Sequence, residues 1–188
     1  MFERIKNKTH RNQFTRMCIG EALIALMQSS DFSVIRVSDI VRRAGVSRMT
    51  FYHYYSSKTD VLTDYLDEII SLYLKESRQQ PDIGGFRDYR HILFSLKFFD
   101  RYRCFFLTLT HAGLHSLIIN AINDFMLRHF SSDFDDSIYK LYVYAGALLN
   151  VFLKWEEDGR SKPAEETARI IHDTFGSLQR PSQTEFPE

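Results

Sequence analysis

Cysteine, proline and glycine are all scarce: the 188 residues hold 2 Cys, 4 Pro and 8 Gly. The two thiols, Cys18 and Cys104, form no Cys-x-x-Cys pair and no framework of the secreted type, so a disulfide-stapled fold is excluded and a reducing cytoplasm is the expected compartment. With so little Gly and Pro, collagen-like repeats and low-complexity disorder are excluded as well. No stretch reaches the roughly 18 apolar residues that a membrane span requires. Met1 to Arg16 is polar and basic, without a signal-type apolar region, so no membrane association is expected. Sustained apolar/polar alternation is missing too, which argues against a β-sheet protein. Net charge is absent because 24 Lys and Arg balance 24 Asp and Glu. At a typical ~150 residues per domain the length allows one to two domains, too few for a large multidomain enzyme.

The balanced charge conceals an asymmetry. Residues 1–57 carry nine basic residues (Arg4, Lys6, Lys8, Arg11, Arg16, Arg36, Arg42, Arg43, Arg48) against Glu3, Glu21, Asp31 and Asp39, so an excess of five positive charges is offset by five negative in the rest. A basic head on an acidic body is the distribution of a nucleic-acid-binding protein. Apolar residues recur at three- and four-residue intervals almost throughout, so the fold is expected to be all-α. The first helix is expected from Thr9 to Ser29, with Ile19, Ala22, Leu23, Leu26 and Met27 inward, and Asp31 tolerating a left-handed exit. Two short helices follow, Val37 to Ala44 and Arg48 to Tyr54, joined by Ala44-Gly45-Val46-Ser47. Gly45 suits a tight turn, Val46 a plug between the helices, and Ser47 an N-cap: this is a helix-turn-helix layout. Ser57 and Asp60 have capping-box spacing at the head of a helix reaching Gln79. Beyond the break at Gln79 to Gly85, helices are expected at Tyr89 to Asp100, Tyr102 to Thr110, Gly113 to Phe130, Asp133 to Asp158 and Pro163 to Leu178, with a frayed tail at 180–188.

The run from Val37 to Lys58 resembles the DNA-binding domain of the tetracycline-repressor (TetR/AcrR) family. Its most specific parts are Ala44-Gly45-Val46-Ser47, Thr50-Phe51-Tyr52 and Ser57-Lys58 before Val61-Leu62, within a match over about residues 9–70. Asp31, Arg36 and Met49 depart from the usual pattern, so operator sequence does not carry over. The resemblance implies an N-terminal helix-turn-helix domain at 1–57 (helix-turn-helix about 37–55) and a helical effector-binding and dimerisation domain at 58–179. It implies a homodimer whose second short helix enters the major groove of a double-stranded DNA operator, and an effector-binding body. The later run Tyr142 to Leu149, with Lys154-Trp155 and Gly159, is similar to a subgroup with a short C-terminal domain that includes activators as well as repressors.

The expected DNA surface comprises Ser38, Arg43, Ser47, Arg48, Met49, Thr50, Tyr52, His53 and Lys58, with Phe51 in the core. Arg48 suits a bidentate pair with guanine, and Met49 and Thr50 suit a thymine methyl. Ser38, Arg43, Tyr52, His53 and Lys58 are better placed for phosphates, which set register without reading sequence. Lys6, Lys8 and Arg11 suit a flexible basic arm, or simply a solvated terminus.

The body is rich in aromatics. Phe94, Phe98, Phe105 and Phe125 suit an apolar effector pocket, with His111 and His115 as the polar groups orienting an unidentified small molecule; the same phenylalanines also suit a solid core. His111 and His115 stand four apart, which would put both on one helix face as half of a zinc site, yet neither His-Glu-x-x-His nor paired Glu-x-x-His motifs are present, and no cofactor is called for. Ala145 and Gly146, small and bordered by Leu149 and Phe152, pair with Ile171 and Phe175 as an expected dimer face, the alternative being packing within one chain. The reading is a ligand-responsive transcriptional regulator, most simply a repressor released from a near-palindromic operator by its effector. An activator or zinc-responsive regulator of the same fold is the alternative. A small all-α enzyme is the remote one, since no nucleophile, base and orienting group form a recognisable set.

Overall fold

The computed structural model describes residues 2–130 and 138–178. Among these the chain is entirely helical: α1 (Phe2–Met27), α2 (Val37–Ala44), α3 (Arg48–Tyr54), α4 (Lys58–Ser77), α5 (Tyr89–Asp100), α6 (Arg103–His111), α7 (His115–Phe130), α8 (Ile138–Glu157) and α9 (Ala164–Leu178). The all-α expectation holds, and α2, α3 and α5 occupy the expected spans. The expected helix start at Asp133 and the tail from Arg180 to Glu188 lie outside the described residues.

Two details of the α1 region differ from expectation. The helix begins at Phe2 rather than Thr9, so Lys6, Lys8 and Arg11 belong to a helical backbone instead of a free arm; their side chains lie outside the described residues. The segment before Thr9 contains neither Gly nor Pro and several good helix formers, so nothing in it stops the helix. Asp31 does not take a left-handed conformation either, the positive-φ residues other than Gly being Asp82 and Arg160. The chain leaves α1 through turns closed by Ser29 N–H to Leu26 O and Val34 N–H to Asp31 O, both 3.1 Å.

The chain packs as two units, Met1–Leu72 with Cys104–Phe125 and Tyr73–Arg103 with Met126–Glu188. The division falls inside α4, because the first turns of that helix are bound to α1 and α3. Asp64 of α4 accepts from Arg16 Nε at 2.8 Å, from Arg16 Nη2, and from the Tyr55 hydroxyl at 2.6 Å. Tyr54 donates to Asn12 at 3.1 Å, and Gln13 donates to Glu68. Gly20 of α1 sits against the Tyr65 ring so closely that a Cβ there would collide with it. The core of this first unit is formed by Ile19, Leu23, Ile40, Phe51, Leu62, Leu66, Ile69, Phe106 and Leu109, all at most 2% exposed.

In the second unit α9 packs against α5 and α8. Tyr73 is 1% exposed, its hydroxyl 2.8 Å from His91 Nε2 and 2.9 Å from Ser95 Oγ, its ring against Phe94, Phe98 and Phe99. Tyr144 donates to the Phe86 carbonyl at 3.0 Å and packs on Phe175 with ring centroids 4.4 Å apart. Burying a large ring without its hydroxyl partner would be costly, so these bonds specify how the aromatic core is assembled.

Candidate nucleic-acid interface

Helix α2 is stopped by Gly45, which has φ 67°, and the Val46 N–H closes back to Val41 O at 3.0 Å. This six-to-one bond is the Schellman stop, and glycine adopts its left-handed conformation without steric cost. Val46, half-buried, fills the angle, and α3 starts at once because Ser47 Oγ accepts the Thr50 N–H at 3.0 Å. The geometry of the turn is therefore set by the four residues Ala44-Gly45-Val46-Ser47, as their chemistry predicts.

Phe51 anchors α3 from beneath at 0% exposure, edge-on to Tyr52 (5.4 Å) and tilted on Tyr55 (5.7 Å). The opposite face points to solvent: Met49 is 84% exposed, Tyr52 57%, and Arg48 and His53 are exposed with them. Spaced i, i+1, i+4 and i+5 on one helix, these four form a single outward face. No acidic residue lies on α3 to oppose Arg48. Arg43 is exposed at the end of α2, while Arg42 pairs with Asp39 at 2.8 Å and Ser38 is half-buried. Thr50 is half-buried, with its hydroxyl 2.9 Å from Ser47 Oγ, so the Ser47 and Thr50 hydroxyls are engaged with each other at the cap. Arg36, exposed just before α2, is a further cation of the helix-turn-helix segment.

Lys58 is placed differently from the phosphate-facing role its sequence position suggested. Its ammonium donates to the carbonyls of Phe32 (2.5 Å), Ile35 (2.7 Å) and Ser33 (3.4 Å) and sits 4.6 Å from the centre of the Phe32 ring. Sequence reading also missed the Arg16–Asp64–Tyr55 tether that holds α1, α3 and α4 together; its members are far apart in the chain and no local pattern joins them. Burial pushes the Tyr55 phenol up despite the neighbouring Arg16.

The other expected sites are rearranged more. His111 ends α6 and His115 begins α7, with Gly113 at φ 72° between them, so they do not share a helix face; both are exposed, not set into an apolar stretch. Among the described residues no group of three or more His, Cys, Asp and Glu has the arrangement of a metal site. Of the expected pocket residues, Phe94 and Phe98 belong to the second unit and Phe105, His111, His115 and Phe125 to the first. Phe98, Phe105 and Phe125 are buried.

At the expected dimer face, Ala145, Leu149, Phe152 and Ile171 are between 1% and 8% exposed and are therefore packing inside the chain. Phe175 is half-buried against Tyr144. Gly146 is half-buried with nothing within 4 Å of an added Cβ, and the exposed apolar residues of α8 precede it: Ile138, Tyr139, Tyr142 and Val143. The exposed apolar face of α8 is thus not the one expected, and on the buried side Tyr144 is met by Phe175 of α9.

Residues 19–65 match the family described as bacterial regulatory proteins, tetR family. Over 45 residues the chain is 42% identical to the HTH-type transcriptional regulator EthR of Mycolicibacterium smegmatis, a stretch of 24% of this chain and 21% of that protein, so the match spans about a fifth of the relative's length. Over nearly its whole length the fold is similar to Lin0861 from Listeria innocua, with a TM-score of 0.74 at 18% identity, covering 90% of this chain and 93% of the other. It is also similar to the dihydroxyacetone kinase operon activator DhaS, with a TM-score of 0.60 at 18% identity, covering 87% and 95%. No described helix is long and apolar enough to cross a membrane. The helix-turn-helix of this chain thus lies within residues 19–65, the segment that matches the tetR family of bacterial regulatory proteins.

Proposed function

We propose that the chain acts as a homodimeric repressor that binds a near-palindromic DNA operator and is released from it by a small organic effector. The observation that carries the reading is α3 itself: Phe51 is fully buried beneath it while Arg48, Met49, Tyr52 and His53 project together into solvent. A helix held this way presents one donor fork, one soft apolar side chain and two further polar rings to a major groove. Selection from a randomised duplex pool tests this. Enrichment of inverted half-sites separated by about one helical turn or a multiple, roughly 10 base pairs per turn, is expected; unenriched retention of random duplex would defeat it.

Dimerisation is supported by the exposed apolar residues Ile138, Tyr139, Tyr142 and Val143 of α8, with Ile170 of α9, which is 47% exposed. Such a face suits a two-fold, self-complementary interface. For the effector, the aromatic side chains of α5, with Tyr73, His91 and Ser95 as the polar groups among them, support a mostly hydrophobic molecule better than the exposed His111 and His115 do. A thermal-shift screen of apolar acids and aromatics beside a zinc titration separates the two readings, zinc alone raising the melting point being the result that favours the metal. The likeness to a protein named as an operon activator favours a second sign of regulation, in which the effector promotes operator binding. Operator affinity measured with and without a screening hit decides between them.

A further inference from the structure

Lys58 stands where the helix-turn-helix ends and α4 begins, yet its ammonium reaches back to the chain just before α2. The carbonyls of Phe32, Ser33 and Ile35 converge on one point, and three aligned acceptors without a donor among them would repel one another. Lys58 supplies all three donors that an ammonium has. The Phe32 ring 4.6 Å away adds a cation–π contact on the remaining side. The next residue after Ile35 is Arg36, whose backbone N–H is bound by Asp39 at 3.3 Å and which sets the first turn of α2. The two ends of the helix-turn-helix, residues 35 and 58, are therefore tied to each other by one side chain.

Resting on the DNA-binding reading, we propose that Lys58 is a positioning residue: it staples the two ends of the helix-turn-helix so that α3 is held at a fixed angle to α1 and α4, and it is not a phosphate ligand. A phosphate contact would require the ammonium to give up donors already spent on carbonyls, and the loop carbonyls would then lose their partner. Arg43 and Arg48, exposed on the same domain, are not spent on loop carbonyls in this way among the described residues.

The full-length chain and its Lys58→Met, Lys58→Gln and Arg43→Ala variants test this, using a duplex enriched by the wild-type chain and a random duplex of the same length. Fluorescence anisotropy across a salt series and amide hydrogen exchange of residues 32–40 are the readouts. For Lys58→Met the expected result is faster exchange in 32–40, an unchanged salt slope, and at least a tenfold greater loss on the enriched duplex than on the random one. Lys58→Gln, neutral but still a donor, should recover part of the exchange protection and part of the affinity; it also serves if the methionine variant does not fold. Arg43→Ala should instead reduce the salt slope by about 0.9 for each phosphate that is no longer neutralised, without changing the exchange. A reduced slope for both Lys58 variants with unaltered exchange would overturn the proposal. Failure of the wild-type chain to bind either duplex would remove the DNA reading, while the exchange result would still show whether the staple exists.

Discussion

Arg48 and Arg43 are both exposed arginines of the first unit, but they sit at opposite ends of the turn and are expected to fail differently. Arg48→Ala should cost about 1–3 kcal/mol of discrimination between enriched and random duplex, as removal of one bidentate base pairing does. Equal losses on the two duplexes in competition binding would show that Arg48 does not read bases. Ser47 is a stability residue first: its Oγ caps α3 at 3.0 Å, so Ser47→Ala should lower unfolding free energy by about 0.5–2 kcal/mol in denaturant titration. An unchanged midpoint would mean that the cap contributes nothing. At this scale the difference between what was legible and what was not follows from distance along the chain. Ser47 and Thr50 are three residues apart and their pairing follows from local rules, whereas the carbonyl partners of Lys58 lie 23 to 26 residues earlier.

Gly45 and Gly113 end their helices in the same manner. Val46 N–H closes to Val41 O at 3.0 Å after the first, and Leu114 N–H closes to Leu109 O at 2.9 Å after the second. Both fall at breaks that the sequence predicts, between Ala44 and Ser47 and between Thr110 and Gly113, but only the first is followed by a capping serine that marks the start of the new helix. Reading helical spacing through Gly113 puts His111 and His115 on one face, which the structure does not. Nothing lies within 4 Å of a Cβ at Gly45, so Gly45→Ala should cost only the left-handed backbone strain, about 1 kcal/mol or slightly more, with operator affinity falling through the angle of α3. Circular dichroism melts together with binding would check this, and a more stable variant would contradict it. Gly20 differs in kind. There the obstacle is the Tyr65 ring rather than φ, so Gly20→Val should push α1 away from α4 and lower the melting point more than Gly45→Ala does.

For the whole molecule, the most telling buried group is Glu156. Its side chain is 0% exposed; one oxygen accepts from Arg103 Nε at 3.1 Å and the other has no donor. Asp100, itself held by Arg160 at 2.8 Å, is a neighbouring carboxyl, and a second negative charge beside a buried carboxylate disfavours its ionised form. Burial first and Asp100 second push the Glu156 carboxyl above the ordinary glutamate range, against the pull of Arg103. Between the ordinary and the raised value the folded chain holds a proton that the unfolded chain has released. The stability this provides is present below the ordinary glutamate range and is lost as pH rises through the raised folded value. Glu156→Gln keeps an acceptor for Arg103 and gains a donor, so it should flatten that pH dependence and raise the melting point at neutral pH by about 2–4 °C, the shift ~1 kcal/mol produces in a chain this long. A lower melting point at neutral pH would contradict the assignment.

The proposed dimer is likewise tested at the scale of the whole molecule. Val143→Asp on the exposed face of α8 should weaken self-association at least tenfold in sedimentation. Leu149→Ala, 8% exposed inside the chain, should instead destabilise the protomer by about 2–5 kcal/mol. A monomer–dimer equilibrium unaffected by Val143→Asp would remove α8 from the interface.

The sequence by itself determined the helical class, the positions of α2 and α3, the Gly45 stop, the Ser47 cap and the inward place of Phe51. Each of these depends on residues within a turn or two of one another, where steric and hydrogen-bonding preferences act without help. Only the tertiary structure decided which side of α8 is buried, that Asp64 gathers Arg16 and Tyr55, that Glu156 is buried beside Asp100, and that Lys58 is spent on carbonyls rather than left free. Those outcomes depend on which helices meet and at what rotation, and helical periodicity specifies an apolar stripe without naming the partner that will bury it.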